Sequence, residues 1–322
     1  MQVDVPVILI WTPNKYTPPH ESLLSVNNQQ KCIVTHNKDD LSKSKSVVLH
    51  LNEIVAASGV RIGGYPAVLL MFEETPLTFI HMGAGKSRFQ TVFLNNFINW
   101  TMSYRTDSTI TIKKYHRYRT NLGDKSDKLS SKISRFSHKN GRMIAVLSNC
   151  KRKLRNDFIK NMLRVYPDLD LFGKCGLKLC GRNQKECNEL ISTYSFYLAI
   201  ENSFECQDYI TEKYWRNALE NYVLPVVKGA KIYDYKKLAI PNSYLHVDNF
   251  TNLESLSLFL KHLIINRDAY FDMVFGWRKQ WQVKYDYSHW SRLCEKLYSG
   301  EVDEHVYSNF DFYFNSCPDI WV

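Results

Sequence analysis

What this chain lacks narrows its class first. No apolar run approaches the roughly 20 residues needed to cross a bilayer. The longest, Val5–Trp11 and Tyr65–Phe72, stop far short, and neither resembles a secretory signal. The chain is therefore expected to be soluble as it stands. It has no internal repeat and no long low-complexity segment. The paired C-x2-C knuckles of structural zinc sites are missing, and so is the interleaved aromatic and basic pattern of RNA-binding modules.

What is present points to a folded protein with an anionic partner. At 322 residues the chain exceeds one compact core, which predicts two lobes. Apolar residues make up 44% and aromatics 14%, ample for globular cores. The excess of 42 Lys and Arg over 32 Asp and Glu gives a formal charge of +10. Basic residues concentrate in Lys113–Arg119 and Lys151–Arg155, with a looser scatter from Lys125 to Arg142 that reads as a solvated linker. Five of the eight cysteines (Cys150, Cys175, Cys180, Cys187 and Cys206) fall in one stretch. The spacing Cys175-x4-Cys180-x6-Cys187 favours disulfides over metal. Cys294 and Cys317 are expected to pair with each other, from their order alone. Two glycosylation acceptor patterns, Asn99-Trp100-Thr101 and Asn249-Phe250-Thr251, fit an oxidising compartment as well.

Periodicity divides the chain at a polar, Ser- and Lys-rich stretch around residues 121–141. The expected organisation is an N-terminal lobe over 1–125, a linker over 126–141, a second lobe over 142–290 and a tail over 291–322. Before the linker, Val5–Trp11, Ser46–Leu51 and Pro66–Phe72 read as strands and Thr91–Ile98 as an amphipathic helix. After it, Met143–Leu147 reads as a buried strand. Leu154, Phe158, Met162 and Tyr166 then recur every four residues, as on one helix face. Asp168–Phe172, Phe196–Ile200 and Val223–Val227 read as further strands. Trp215, Ala218, Leu219 and Tyr222 mark a helical stripe, and Leu253, Leu256, Leu260, Leu263 and Ile264 mark another. Trp277–Trp290 reads as an aromatic-rich tail. Strand–helix–strand repeated in this way predicts a doubly wound α/β lobe.

In such lobes ligands sit beyond the carboxyl ends of the strands. Two strand-to-helix turns carry suitable chemistry. One runs from Ser148-Asn149-Cys150 to Arg155. The other runs from Glu201-Asn202-Ser203 through Asp208-Tyr209-Ile210-Thr211 to Glu212-Lys213. A helix N-terminus with Lys and Arg beside it suits a diphosphate. Spacing alone equally allows Lys213 to be an exposed helix residue and Glu201 a satisfied polar group at a strand end.

The stretch from Phe196-Tyr197-Leu198-Ala199-Ile200-Glu201-Asn202-Ser203 through Asp208-Tyr209-Ile210-Thr211-Glu212-Lys213-Tyr214-Trp215 resembles the donor-binding signature of the α1,3-fucosyltransferases, glycosyltransferase family 10. Phe97–Arg105, Leu171–Gly176 and Tyr270 through Trp277-Arg278 resemble further markers of that family, in its order. The resemblance implies an α/β fold of GT-B type, two Rossmann-like lobes with the active site in the cleft between them. GDP-fucose would bind the second lobe and the acceptor the first. It assigns Lys213 to phosphate, Glu212 to ribose and Arg155, with Arg152 close by, to the diphosphate. It places Ser148, Asn149, Asn202 and Tyr209 in the donor pocket.

Inverting transfer needs a base for the acceptor hydroxyl. Met71-Phe72-Glu73-Glu74-Thr75-Pro76 resembles the family's Glu-Ser-Pro segment, with Thr75 in place of Ser, which makes Glu74 the candidate base and Glu73 its competitor. The scheme requires no cofactor or metal, a divalent cation being at most stimulatory, and Asp168-Leu169-Asp170 is read as structural. The partners implied are GDP-fucose and a glycan or glycoprotein, with no nucleic acid. The expected acceptor is GlcNAc of an N-glycan, core or antenna. The alternatives are a protein O-fucosyltransferase and a noncatalytic GDP-sugar or glycan-binding protein. Family members are held in the Golgi lumen by an N-terminal membrane anchor, which is not visible in this sequence.

Overall fold

The computed structural model describes residues 5–14, 17–26, 30–51, 68–75, 95–119, 139–176, 180, 184–299, 306–309, 313, 316 and 317. The chain divides into two compact units, residues 1–114 with 286–322, and residues 115–285.

The first unit is built on a seven-stranded sheet of β1 (Val7–Ile10), β2 (Leu23–Ser25), β3 (Lys31–Thr35), β4 (Ser44–His50), β5 (Val68–Phe72), β6 (Trp100–Ser103) and β7 (Ile110–Thr111). Their order is β2-β3-β1-β4-β5-β6-β7, and all pairs are parallel except β2 with β3. β5 is buried at every position, as a central parallel strand with both faces covered must be. Ile8, Ile10, Val48, Met71 and Met102 face one side, where Trp290, Leu293 and Cys294 of the C-terminal helix His289–Tyr298 pack. Leu9, Val47, Leu49, Leu70 and Phe72 face the other, with Ile98 and Tyr313.

The second unit carries β9 (Met143–Val146), β10 (Leu169–Phe172), β11 (Phe196–Ile200), β12 (Leu224–Lys228) and β13 (Leu245–His246) in the all-parallel order β10-β9-β11-β12-β13. Alternate residues of β11 feed opposite cores, Phe196, Leu198 and Ile200 one and Tyr197 and Ala199 the other. Helices Lys153–Val165, Leu253–Ile265 and Arg267–Phe275 cover the first face, and Gln184–Ser192, Lys213–Glu220 and Ile232–Leu238 the second. The expected doubly wound lobe is thus present. Tyr270 ties a covering helix to the sheet, donating to the Ser195 carbonyl at 2.6 Å and meeting Phe196 edge-on.

Several expectations change. The basic run at Lys113–Arg119 contains a strand, β8 (Tyr115–Arg119), which pairs antiparallel with β14 (Trp281–Tyr285). Guanidinium groups of Arg117 and Arg119 lie 5.3 and 5.9 Å from the centre of the Trp281 ring, so aromatic faces support the cations. The second unit therefore runs over 115–285 rather than 142–290, and the chain from Asp286 returns to the first unit instead of forming a separate tail. Trp277–Trp290 holds a short 3-10 helix, β14 and the start of a helix.

Of the expected stripe on helix Lys153–Val165, Met162 and Tyr166 are buried and Phe158 packs against the same core, while Leu154 is 39% exposed and Arg155 and Ile159 are buried instead. Residues 95–97 form a turn, and residues 91–94 of the expected helix at Thr91–Ile98 lie outside the described residues, as do 126–138 of the linker. No cysteine is free, so the disulfide reading holds. Cys294, however, pairs with Cys32 and not with Cys317, because helix His289–Tyr298 packs on the face of the first sheet that Cys32 shares. Cys150–Cys175 and Cys180–Cys187 are the other pairs described in full. Among the described residues no helix is long and apolar enough to cross a membrane.

Candidate active site

In the second sheet the strand order reverses between β9 and β11, and a doubly wound sheet opens its ligand crevice at such a point. Both turns singled out in the sequence leave from these two strands. After β9, exposed Ser148 and half-buried Asn149 lead into helix Lys153–Val165, with the Asn149 side-chain oxygen accepting from Lys151 N–H at 3.3 Å. The Cys150–Cys175 bridge ties this turn to the one after β10. Gly173 there has φ +85°, and a Cβ would lie 2.4 Å from the Leu147 carbonyl oxygen, so glycine is required.

The helix beginning at Lys153 has no acidic residue in its first turn and no side-chain cap. Lys151, Arg152, Lys153 and Arg155 occupy its N-terminal end instead, against the usual preference for negative charge at that end of the dipole. Arg155 is 1% exposed. One terminal nitrogen donates to Asn202 Oδ1 at 2.6 Å and the other to the Asn149 carbonyl, which joins the two turns. Its Nε is buried without a hydrogen-bond partner, and no ion pair to it occurs among the described residues. Burial, and then the neighbouring charge of Arg152, lower its pKa, but a guanidinium stays protonated. The turn therefore holds a buried positive charge that an anion would relieve.

After β11 the pattern is the reverse. Glu201 is fully buried, and its carboxylate accepts from Thr211 N–H at 2.9 Å, from Thr211 Oγ1 at 2.8 Å and from Lys213 Nζ at 2.8 Å. Burial pushes this carboxyl up against the pull of Lys213. Gly229 makes room for it, since a Cβ there would lie 2.5 Å from Glu201 Cβ. Lys213 Nζ also reaches Thr211 Oγ1 at 3.0 Å and Glu212 at 3.6 Å. Glu212 caps the helix Lys213–Glu220, which has π-type hydrogen bonding, and its side chain is 40% exposed. Burial raises the Glu212 pKa, but Lys213, backbone N–H and Arg216 outweigh it and hold the carboxyl below its ordinary value. Tyr209 is 2% exposed, between Asp208 at φ +60° and this helix. Behind the helix, Arg278 lies 3.9 Å over Trp277 and 4.3 Å over Tyr222, donates to the Leu219 carbonyl, and is lowered to about 9 by burial.

In the first unit, Glu73 and Glu74 follow β5, half-buried at the carboxyl edge of that sheet. Tyr313 donates to the Glu74 carbonyl at 2.6 Å, and its ring centre lies 4.0 Å from that of Phe72. On the adjacent strand β4, His50 is 2% exposed, its backbone N–H donating to Thr12 Oγ1 at 2.6 Å, and burial lowers its imidazole to about 4. Asp168 and Asp170 both bind the Arg142 guanidinium, at 2.7 and 2.8 Å, which makes them structural as expected. No group of three or more metal-ligating side chains occurs among the described residues.

Sequence models of one family cover most of the chain. The one described as glycosyltransferase family 10 (fucosyltransferase) C-term matches residues 136–312, and the one described as fucosyltransferase, N-terminal, matches residues 4–116. The chain belongs to the family 10 fucosyltransferases. Among its relatives, the Drosophila melanogaster protein named glycoprotein 3-alpha-L-fucosyltransferase A is 30% identical over 84% of this chain and 51% of its own length. The Caenorhabditis elegans protein named alpha-(1,3)-fucosyltransferase fut-1 is 29% identical over 68% of the chain and 52% of its own length. The chain thus spans about half the length of these relatives. A crystal structure of an α1,3-fucosyltransferase with GDP-fucose matches with a TM-score of 0.59 at 16% identity, covering 95% of this chain and 93% of that one, which shows the fold. The fold class is the expected one: α/β, with two Rossmann-like units.

Within this fucosyltransferase frame, the sequence-predicted donor residues Asn149, Arg155 and Asn202 are brought into direct contact, and Glu212 and Lys213 meet each other. Ser148 stays at the exposed end of its turn. Lys213 is held by Glu201, a residue that spacing alone left as a polar strand end. Its partner Thr211 was not singled out either. The signal lay in the sequence, where a carboxylate ending a buried strand faces a Thr-x-Lys at the next helix.

Proposed function

We propose that this chain transfers L-fucose from GDP-fucose to a GlcNAc hydroxyl of an N-glycan, as an inverting α1,3-fucosyltransferase. The observation that carries the reading is the buried Arg155, whose Nε has no hydrogen-bond partner and which makes no ion pair among the described residues, at the switch point of the second sheet beside a basic and uncapped helix N-terminus. That combination suits the diphosphate of a sugar nucleotide and stabilises it as a leaving group, through the guanidinium and the helix N–H groups, with no step assigned to a metal. Glu212, exposed and held as a carboxylate, suits hydroxyl donors such as those of ribose. Lys213 contributes by neutralising the buried Glu201 carboxylate, which would otherwise repel a diphosphate at the same edge. Glu74 is the base that takes the acceptor proton as the hydroxyl oxygen attacks the anomeric carbon from the face opposite GDP. Disulfide bonding of every cysteine supports an oxidising lumen, that of the Golgi, as the working compartment.

The test is GDP release from GDP-fucose with N-glycan core, N-acetyllactosamine and protein acceptors, with the anomeric configuration of the product read by NMR. Acceptor-dependent release giving an inverted linkage, lost in Glu74→Gln and reduced about 10²–10³-fold in Arg155→Ala, is the expected result. Turnover only on protein acceptors would move the assignment to protein O-fucosylation. Donor binding without turnover on any acceptor would refute the enzymatic reading.

A further inference from the structure

The two glycosylation acceptor patterns look equivalent in the sequence, and the fold separates them. Asn99 immediately precedes β6. Its N–H donates to the Val68 carbonyl at 2.9 Å and its side-chain oxygen accepts from Val68 N–H at 2.9 Å, so the residue begins the β5–β6 ladder. Trp100 and Thr101, which complete the pattern, are 1% and 2% exposed within the sheet. The Thr101 hydroxyl oxygen accepts from Thr109 N–H at 3.2 Å. Asn99 is itself half-buried, and a glycan on its carboxamide would compete with the hydrogen bond that starts the β5–β6 pairing.

Asn249 ends the 3-10 turn Val247–Asn249 at the surface of the second unit. It is exposed, and its carboxamide makes no hydrogen bond among the described residues. Phe250 is extended, φ −107° and ψ 145°, and turns its ring inward onto Phe259, with ring centres 5.6 Å apart. That anchor leaves Asn249 and the exposed Thr251 on the outside, on a short surface turn that precedes helix Leu253–Ile265. Among the described residues the Thr251 hydroxyl meets only Ser255 Oγ, at 3.3 Å.

We infer that Asn249 is an N-glycan attachment site of the folded protein and that Asn99 is not. The donor is a lipid-linked oligosaccharide pyrophosphate. A bond forms between Asn249 Nδ2 and the anomeric carbon, the carbon–oxygen bond to the pyrophosphate breaks, and the amide proton leaves with the lipid pyrophosphate. Complete disulfide bonding of the cysteines fits passage through the compartment where that donor resides. A chain modified at Asn99 would be blocked from closing β5 on β6, so folded material carries none there.

The full chain, directed into the secretory pathway of a glycosylating eukaryotic cell, supplies the test. Release of glycans by an amidase in heavy-oxygen water, followed by peptide mass spectrometry, should label residue 249 as heavy aspartate and leave residue 99 unlabelled. Asn249→Gln and Thr251→Val should each remove one glycan from the folded, secreted protein, and Thr251→Ser should retain it. The paired variants keep the test valid if one of them is not secreted. An unlabelled residue 249 in secreted protein, or a labelled residue 99, would overturn the inference.

Discussion

In the second unit the strands at the switch point, β9 and β11, lead into turns that gather four cations within five residues, Lys151 to Arg155. In the first unit the order β3-β1-β4 places the reversal between β1 and β4. There the chain offers Thr12 and a buried, neutral His50, and two carboxylates follow the neighbouring β5. Both sheets are parallel, and the same rule says where each presents its loops. Topology thus decides the place, and the charge of the turns decides the partner. One edge suits a phosphorylated donor, and the other suits a hydroxyl that must lose a proton. The edge of the second unit is itself divided, since Lys213 is ion-paired to Glu201 whereas no ion pair to Arg155 occurs among the described residues.

The strongest way to break this contrast is to remove the carboxylate of the acidic edge. Glu74→Gln should lower kcat by about 10²–10⁴-fold while GDP-fucose affinity stays unchanged, as read by single-turnover kinetics and donor titration. Tyr313→Phe, which loses the hydrogen bond to the Glu74 carbonyl, should lower kcat less and in the same direction. Equal donor weakening in Glu74→Gln would place that residue on the donor side. Next in size, Glu201→Gln removes the buried partner of the Lys213 ammonium and leaves it only the longer contact to Glu212, and should destabilise the fold by about 3 kcal/mol in urea unfolding. Arg155→Leu should do the opposite of Glu201→Gln. It removes a buried unpaired charge, so stability should hold or rise while turnover falls about 10²–10³-fold and the thermal shift given by GDP shrinks. A large loss of stability in Arg155→Leu would show that Asn149 and Asn202, not an anion, are the reason for the charge.

Acid should weigh more on the first unit, with two strongly shifted histidines, than on the second, where burial lowers His246. His50 and His289, both in the first unit, are held neutral by burial at about 4. The unfolded chain takes up these protons below about 6.5, so stability falls as pH drops from about 6.5 to about 4 and levels off below that, by up to about 3 kcal/mol per histidine. Hydrogen exchange at pH 5 against pH 7 should show loss of protection in β1, β4 and helix His289–Tyr298, and replacing His50 with Gln should reduce the difference. The disulfides extend the comparison between the units. By loop-closure entropy, removal of Cys32–Cys294, with a separation of 262 residues, should cost about 5 kcal/mol in the first unit. Removal of Cys180–Cys187, with a separation of 7, should cost about 2 kcal/mol in the second.

The strands and helices of the second unit could be read directly because both faces of its sheet are covered. Continuous apolar runs such as Phe196–Ile200 then announce themselves. Tyr115–Arg119 was hidden because its support is Trp281, more than 160 residues later, and a basic run with no local apolar period reads as solvated. The first turn of helix Lys153–Val165 departs from its apolar period for a related reason. Arg155 takes an inward position that apolar counting gives to Leu154. Of the sequence-predicted donor residues, Asn149 and Asn202 were legible as polar groups after strand ends and Arg155 as a cation at a helix start. The partner of Lys213 was not, since a lysine at a helix start looks the same whether it faces solvent or a buried glutamate.

Taken alone, the sequence determined the succession of strands and helices, the polar turns between them and the likeness that names the family. Each of these depends on neighbours a few residues apart, through burial period and backbone preference. Only the tertiary structure decided which cation is paired and which is left over, which asparagine is locked in a sheet, and which cysteine reaches Cys294. Those outcomes rest on desolvation and on contacts between residues brought together from distant parts of the chain, which no local pattern encodes.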